Sequence, residues 1–517
     1  MPSSSSEYDV CIVGAGPAGL ACVSSTQEPY SLDHLTEIQS ERAARIHHKH
    51  FRRLRVCVVD PNPEWMSSWK SNFKQLNIKH LRSSALAHPD MLDRRALMTY
   101  ANNHGRDVNE LFQTHLNKNK TLSGLGRETN TGMWDLPSTP LFEDFCDDLC
   151  KKLRHTYLQG YASGLTRGKK GVYQIGWKDM SGQQQFVNAK KVILAMGMVG
   201  KPVVPKGLKT CPTVMWKAPG AFTFEKKPNR APQHVLVVGG GLTAAQTALR
   251  IVEEGNTCVL CSRRPLHEKH FDVPVEWFDK RKTAECLSKF YQETIESRLQ
   301  QLKEVRNGGS IPPMYMERLR NFEGKGLTYW VGEVEHAFRE NEIETGQSDN
   351  DEKIPILFQE KTVLFDRIIL ATGVQPDCTA NPFYKSVLEE FPITVHGGFP
   401  DVTQDLRWSE DSEIFVIGAM SALQVGPDAG NLMGMRRAAY VISDKLNVRQ
   451  WLRRTILANQ YDAFMFSDSD DSDSDTDDEI SCCESCERTD EHLLVDQCEE
   501  EVVHQCCAPR GVATVVA

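Results

Sequence analysis

Two glycine-rich turns about 225 residues apart, each directly after a short apolar run, constrain this chain more than any other feature. The first lies in Y-D-V-C-I-V-G-A-G-P-A-G-L-A and contains Gly14, Gly16, Pro17, Ala18 and Gly19. The second lies in H-V-L-V-V-G-G-G-L-T-A-A-Q and contains Gly239, Gly241, Leu242, Thr243 and Ala244. In such a turn the first glycine permits the tight bend and the second lets backbone approach a pyrophosphate. The third allows close helix–strand packing, and alanine is tolerated there. The following helix offers free N–H groups and a partial positive charge to phosphates. Strands are expected at 9–13, 55–59, 191–195, 234–238, 256–261, 367–371 and 413–417. Their alternation with helical stretches is the pattern of parallel α/β architecture. A chain of 517 residues is too long for one ordinary core. The expected fold is therefore α/β with two Rossmann-like dinucleotide-binding domains, the second inserted in the first. The first is expected over 7–228 and 372–456, the second over 229–371, with a tail over 457–517.

Each turn predicts its own ligand. A dinucleotide site needs an acid at the end of its second strand to bind ribose hydroxyls. Asp33 and Glu37 lie nearer the usual spacing, but neither ends an apolar strand, whereas Asp60 in L-R-V-C-V-V-D-P does. The long spacing is then an insertion over 24–49, partly basic and helical in pattern. This first site is read as the FAD site, and downstream Trp69, Arg82, Ser83 and His88 are candidates to meet the flavin or its ribityl chain. Trp65 and Trp69 serve equally well as core aromatics. At the second site the partner strand T-C-V-L-C-S-R-R-P ends without an acid, and Arg263 and Arg264 stand in its place. Guanidinium binds phosphate through paired, charge-assisted hydrogen bonds, which favours the 2′-phosphate of NADPH over NADH. The bland alternative is solvated surface charge. Cys258 and Cys261 form a C-x-x-C, but positions i and i+3 of a strand face opposite ways, so no dithiol is expected. Cys146 and Cys150 are read as helix packing residues.

Charge separates the tail from the body. Residues 456–517 hold 17 acids and two basic residues, a net of -15 within a total of -9, which leaves +6 elsewhere. The body suits anionic cofactors without resembling a nucleic-acid binder. The run 468–479 contains only Ser, Asp and Glu apart from one Thr, so this acidic, Cys-containing tail is expected to be disordered. Ser472, Ser474 and Thr476 suit an acid-directed kinase. Cys482, Cys483, Cys486, Cys498, Cys506 and Cys507 are incidental thiols, ligands of a soft metal, or disulfide formers. No metal constellation is read in the body. No apolar run approaches the roughly 20 residues that cross a bilayer, and the start lacks a secretory pattern, so a cytoplasmic chain is expected.

Taken together, V-G-A-G-P-A-G, V-G-G-G-L-T-A-A-Q, the turns I-L-A-M-G and I-L-A-T-G and the late F-V-I-G resemble the two-dinucleotide-binding-domain FAD/NAD(P)H flavoproteins. The resemblance covers roughly residues 8–455 and points toward class B flavin monooxygenases and lysine/ornithine N-hydroxylases. It implies that Ala195–Gly197 and Ala371–Gly373 mark crossings between the domains. It also implies that Gly418, and Gly430 with Asn431 ahead of a helix, lie near the flavin. The family's Gly-Asp at the late strand is Gly418-Ala419 here. The fingerprint of Baeyer–Villiger oxidation is missing, since M-W-K-A-P-G-A-F-T-F has no His. The implied activity is FAD-dependent transfer of one oxygen from O2, at the expense of NADPH, to a nucleophilic nitrogen or sulfur of a small molecule. Such chemistry demands no side-chain acid or base, and none is assigned. The same motifs serve a flavin reductase or oxidase, or a nucleotide-bound regulatory protein without turnover. The substrate pocket is expected from the loops 64–89 and 271–326.

Overall fold

The computed structural model describes residues 7–26, 54–112, 135–168, 171–208, 214–215, 231–278, 280–337 and 353–446. The insertion beyond Thr26, the stretch 216–224 and the tail lie outside the described residues.

The chain opens with β1 (Glu7–Val13), which is buried from Asp9 onward. Its V-C-I-V run is apolar on both faces, as a parallel strand covered on both sides requires. The glycine turn leads into α1 (Pro17–Thr26), with proline in the first turn, where its missing N–H is harmless. Next come β2 (Val56–Asp60) and α2 (Ser67–Gln75). Helix α3 (Thr139–Lys152) follows, its start fixed by Ser138, whose hydroxyl accepts from the Leu141 N–H. Then come β3 (Thr156–Arg167), β4 (Tyr173–Asp179) and β5 (Gln184–Leu194). The second half holds β6 (Val214–Met215), β7 (His234–Val238), α4 (Leu242–Glu253) and β8 (Thr257–Ser262). Helices α5 (Lys280–Gln292), α6 (Ile295–Arg306) and α7 (Pro313–Phe322) precede β9 (Leu327–Val331) and β10 (Arg367–Leu370). The chain returns through β11 (Ile414–Val416) to α8 (Leu432–Lys445).

The first sheet has a parallel core in the order β3-β2-β1-β5-β11. Its two longest strands each serve twice. Beyond Gln159, β3 turns antiparallel to β4, and β4 pairs with the early part of β5. A register shift between Ala162 and Gly164 lies in the part of β3 that pairs with β4, and such a bulge bends a strand and increases its local twist. The second sheet is parallel throughout, in the order β9-β8-β7-β10-β6. In each sheet the strand ending at a glycine turn lies in the interior, flanked by its partner strand and by the strand that leads to a crossing.

Burial explains why the cysteine pair of β8 is inert. Cys258 packs with Val235, Val237 and Ala244 on one face, and Cys261 with Leu236, Val238 and Phe365 on the other. Burial pushes the Cys261 thiol up to about 11 and that of Cys258 higher still. Cys146 and Cys150 lie on α3 and are unbridged.

Two placements differ from the expected division of the chain. Val214–Met215 precede residue 229 in sequence yet pair with β10 in the second sheet. Phe271, Trp277, Phe290 and Leu302 were expected with the second domain, but they pack in the core of the first. Apolar side chains on α5 and α6 find their partners across the junction, a pairing that sequence spacing does not encode.

Candidate functional site

At the first glycine turn, backbone geometry assigns one task to each glycine. Gly14 has φ +113°, and a Cβ there would stand 2.4 Å from the Ala195 carbonyl oxygen. A Cβ on Gly19 would stand 2.1 Å from the Gly14 oxygen, so helix and strand meet too closely for any side chain. A Cβ on Gly16 would meet no atom within 4 Å, so this glycine is not required by internal packing and leaves its backbone accessible. That is the geometry a pyrophosphate cradle needs. Asp60 ends β2 as expected. Its Oδ2 accepts from the Ala15 N–H at 2.8 Å, and its Oδ1 accepts from the Asn62 N–H and side-chain amide. The carboxylate therefore braces the turn. Ala18 faces Gly418, whose φ of +85° makes the late turn possible.

The other flavin-side candidates are distributed differently. Trp69 stacks on Phe73 at 3.8 Å and leans on Phe142. It is part of the aromatic packing, while Phe73 itself lines the cleft. His88 is fully buried. Its ring lies 3.1 Å from the Arg94 carbonyl and 3.1 Å from the Arg436 guanidinium. Burial, reinforced by Arg436, holds it well below the usual imidazole range. Ser83 is half-buried, next to Arg82 in sequence. Arg82 reaches across the junction instead of along its own half. It donates to the carbonyls of His270, Lys269 and Ser310 and to the Ser310 hydroxyl, at 2.8 to 3.2 Å. Burial lowers its pKa to about 10.

The second turn repeats the first with one difference. Gly239 donates to the Cys261 carbonyl, and a Cβ on it would stand 2.4 Å from the Ala371 oxygen. Gly241 precedes α4, but its face is not open. The Gly309 Cα lies 3.2 Å from where a Gly241 Cβ would stand. Arg263 and Arg264 are exposed and line a recess of about 230 Å³ beside Gly240 and Gly308. A cleft of about 1310 Å³ runs from Gly239–Thr243 past Thr372 and Gly373 to a wall of Phe73, Leu76, Ile78 and Leu136. Arg82, Asp272 and Arg306 also line it.

Gly430 and Asn431 stand just ahead of α8. Asn431 donates to the Asp272 carboxylate at 3.0 Å, and the Arg306 guanidinium lies 3.4 Å from where a Gly430 Cβ would be. Asp272, Arg306 and the Gly308-Gly309 pair escaped the sequence reading, although the N-G-G-S run was a usable turn signal. Also missed was Asp428, fully buried and paired with Arg437; burial raises its pKa against the pull of that arginine. Among the described residues no His, Cys, Asp or Glu cluster is arranged to hold a metal, and no helix is long and apolar enough to cross a membrane.

Known proteins share part of this sequence pattern and the fold. Residues 142–376 match the family model described as L-lysine 6-monooxygenase/L-ornithine 5-monooxygenase. No curated protein matches the chain in sequence. Among solved structures, an ornithine N-hydroxylase from Kutzneria sp. 744, with reduced FAD, NADP+ and L-ornithine, is similar with a TM-score of 0.62 at 15% identity. That match covers 86% of this chain and 100% of the other. The ornithine hydroxylase of Pseudomonas aeruginosa gives 0.60 at 16% identity, with 86% and 100% covered. The L-lysine 6-monooxygenase of Pseudomonas syringae gives 0.58 at 15%, with 85% and 99% covered. The chain thus has the fold of two-dinucleotide-binding-domain flavin monooxygenases and resembles lysine and ornithine N-hydroxylases.

Proposed function

We propose that this chain is an FAD-dependent monooxygenase that uses NADPH and O2 to oxygenate a nucleophilic nitrogen or sulfur of a small molecule. The observation that carries the reading is that each of the two sheets has a parallel core whose interior strand ends in a glycine turn, the second turn lining a cleft of about 1310 Å³. The family match over 142–376 supports it, as does a likeness in fold to an ornithine N-hydroxylase and an L-lysine 6-monooxygenase.

The proposed FAD domain spans 7–228 and 372–456 apart from Val214–Met215, which pair into the second sheet, and the proposed NADPH domain spans 229–371, with α5 and α6 packed on the first core. Gly14, Gly16 and Gly19, with Pro17 and Ala18, would hold the FAD pyrophosphate, and Asp60 its ribose. Gly239 to Thr243 would hold the NADPH pyrophosphate, with Arg263 and Arg264 on its 2′-phosphate. Gly373, Gly418, Gly430 and Asn431 would border the flavin. When bound, the flavin supplies hydride acceptance and activation of dioxygen. The chain would hold the NADPH pyrophosphate at the cleft, where the apolar wall of Phe73, Leu76, Ile78 and Leu136 would help to exclude water. The cysteines of the described residues are unbridged, in keeping with a proposed cytoplasmic location.

The test follows NADPH oxidation under air by FAD-loaded protein, with and without amines and thioethers, while peroxide is quantified. One compound that suppresses peroxide and yields an oxygenated product establishes the monooxygenase. Full recovery of electrons as peroxide with every compound favours an oxidase or reductase. A bound flavin that neither NADPH nor NADH reduces removes the enzyme reading.

A further inference from the structure

The two glycine turns differ at the position meant for a pyrophosphate. Gly16 has no neighbour there, whereas the backbone of Gly309 rests on Gly240 and Gly241. A Cβ on Gly309 would lie 2.5 Å from the Gly241 Cα and 2.7 Å from its nitrogen. The segment Asn307–Ser310 therefore straps the face of the turn. It leaves α6 through two residues of left-handed backbone, Asn307 at φ +45° and Gly308 at φ +78°. At the far end it is anchored by Arg82, which donates to both the carbonyl and the hydroxyl of Ser310. At the near end the Asn307 N–H donates to the Lys303 carbonyl, and Arg264 is the side chain that holds the strap: its guanidinium donates to the Asn307 carbonyl at 3.4 Å and closes over Gly308. Arg264 is exposed and lines the same recess as Arg263, where the 2′-phosphate is proposed to sit.

We infer that the strap Asn307–Ser310 is a specificity-determining element: it covers the second turn, and a 2′-phosphate uncovers it by drawing Arg264 away from Asn307. This rests on the proposal that the second turn binds NADPH. The physical argument is a competition for one cation. A phosphate dianion attracts guanidinium more strongly than one neutral carbonyl does. NADPH thus replaces the contact it breaks, whereas NADH must displace the strap with no such replacement. The apparent affinity of a dinucleotide falls by the fraction of molecules whose strap is open. Selection then comes partly from hindering NADH, and not only from attracting the extra phosphate. The two glycines suit a hinge, since they offer the least resistance to a change of backbone conformation.

The test uses the full-length, FAD-loaded protein. Hydrogen exchange at 307–310 is followed with adenosine 2′,5′-bisphosphate and with 5′-AMP, alongside calorimetric binding of both and of NAD+. The bisphosphate is expected to speed exchange on the order of tenfold, and saturating 5′-AMP to leave it unchanged. In Arg264→Ala, NAD+ is expected to bind about tenfold more tightly than in the natural chain. An arginine that merely binds phosphate would leave NAD+ affinity unmoved. Gly309→Ala, which keeps both arginines but pushes the strap off Gly241, is expected to tighten NAD+ likewise. Bisphosphate binding with unchanged exchange, or unchanged NAD+ affinity in both variants, overturns the strap. No bisphosphate binding at all removes the NADPH assignment, and the strap with it.

Discussion

At the scale of single residues, the first turn separates glycines required by packing from one required by a ligand. Gly16→Ala meets no neighbour, so the fold is expected to keep its stability within about 0.5 kcal/mol. FAD affinity is expected to fall at least ~10-fold, because the new methyl group enters the cradle. Gly19→Ala meets the Gly14 oxygen and is expected to cost roughly 1–3 kcal/mol whether or not FAD is present. Denaturation of both variants with and without FAD checks the contrast; equal stability losses would refute the division of roles. His88 gives a pH-dependent counterpart. Its folded pKa lies below the unfolded value of about 6.5, so the unfolded chain binds more protons just below that pH. Stability is therefore full above about pH 6.5 and declines by up to about 1.4 kcal/mol per pH unit as pH falls toward the folded value. His88→Gln should flatten that part of the stability profile. The sequence identified Asp60 because a terminal acid on an apolar strand is a local feature. It did not reveal that His88 is a buried partner of Arg436, because that contact spans the chain.

At the scale of elements, every strand expected from apolar runs is present, with ends that shift by one or two residues except where an expected run forms the end of a longer strand. Alternation and turn chemistry act over a few residues, so such elements are legible. The helices α5 and α6 were less so. Their apolar residues signalled burial but not against which sheet, and Phe290 and Leu302 complete the first core. Phe290→Ala is expected to destabilise the protein by about 3–5 kcal/mol through transfer loss and cavity formation. Because Arg298 of α6 donates to the Phe290 and Leu423 carbonyls, the loss should also raise hydrogen exchange in α6 and in residues 422–425. If exchange rises in α5 alone, these segments do not form one unit.

At the scale of the whole molecule, Arg82 ties one half to the other through four hydrogen bonds to residues 269, 270 and 310. Arg82→Ala leaves three carbonyls, those of the part-buried Lys269 and His270 and the buried Ser310, short of a donor and is expected to cost about 3 kcal/mol in urea denaturation. Arg82→Lys should recover less than half of that, since one ammonium cannot reproduce a planar fork. Full recovery by lysine would mean that charge alone matters there. By itself the sequence determined the α/β class, the two glycine turns, the acid at the end of β2 and the arginines at the end of β8. All of these are set by residues within one strand–turn–helix unit, where periodicity and backbone sterics decide the outcome. Only the tertiary structure decided that α5 and α6 belong to the first core, that Arg82 crosses the junction, and that Gly309 lies on Gly241. Those contacts join residues up to 228 positions apart. Which surfaces meet at that range is settled by the packing of whole layers, and no local pattern carries that information.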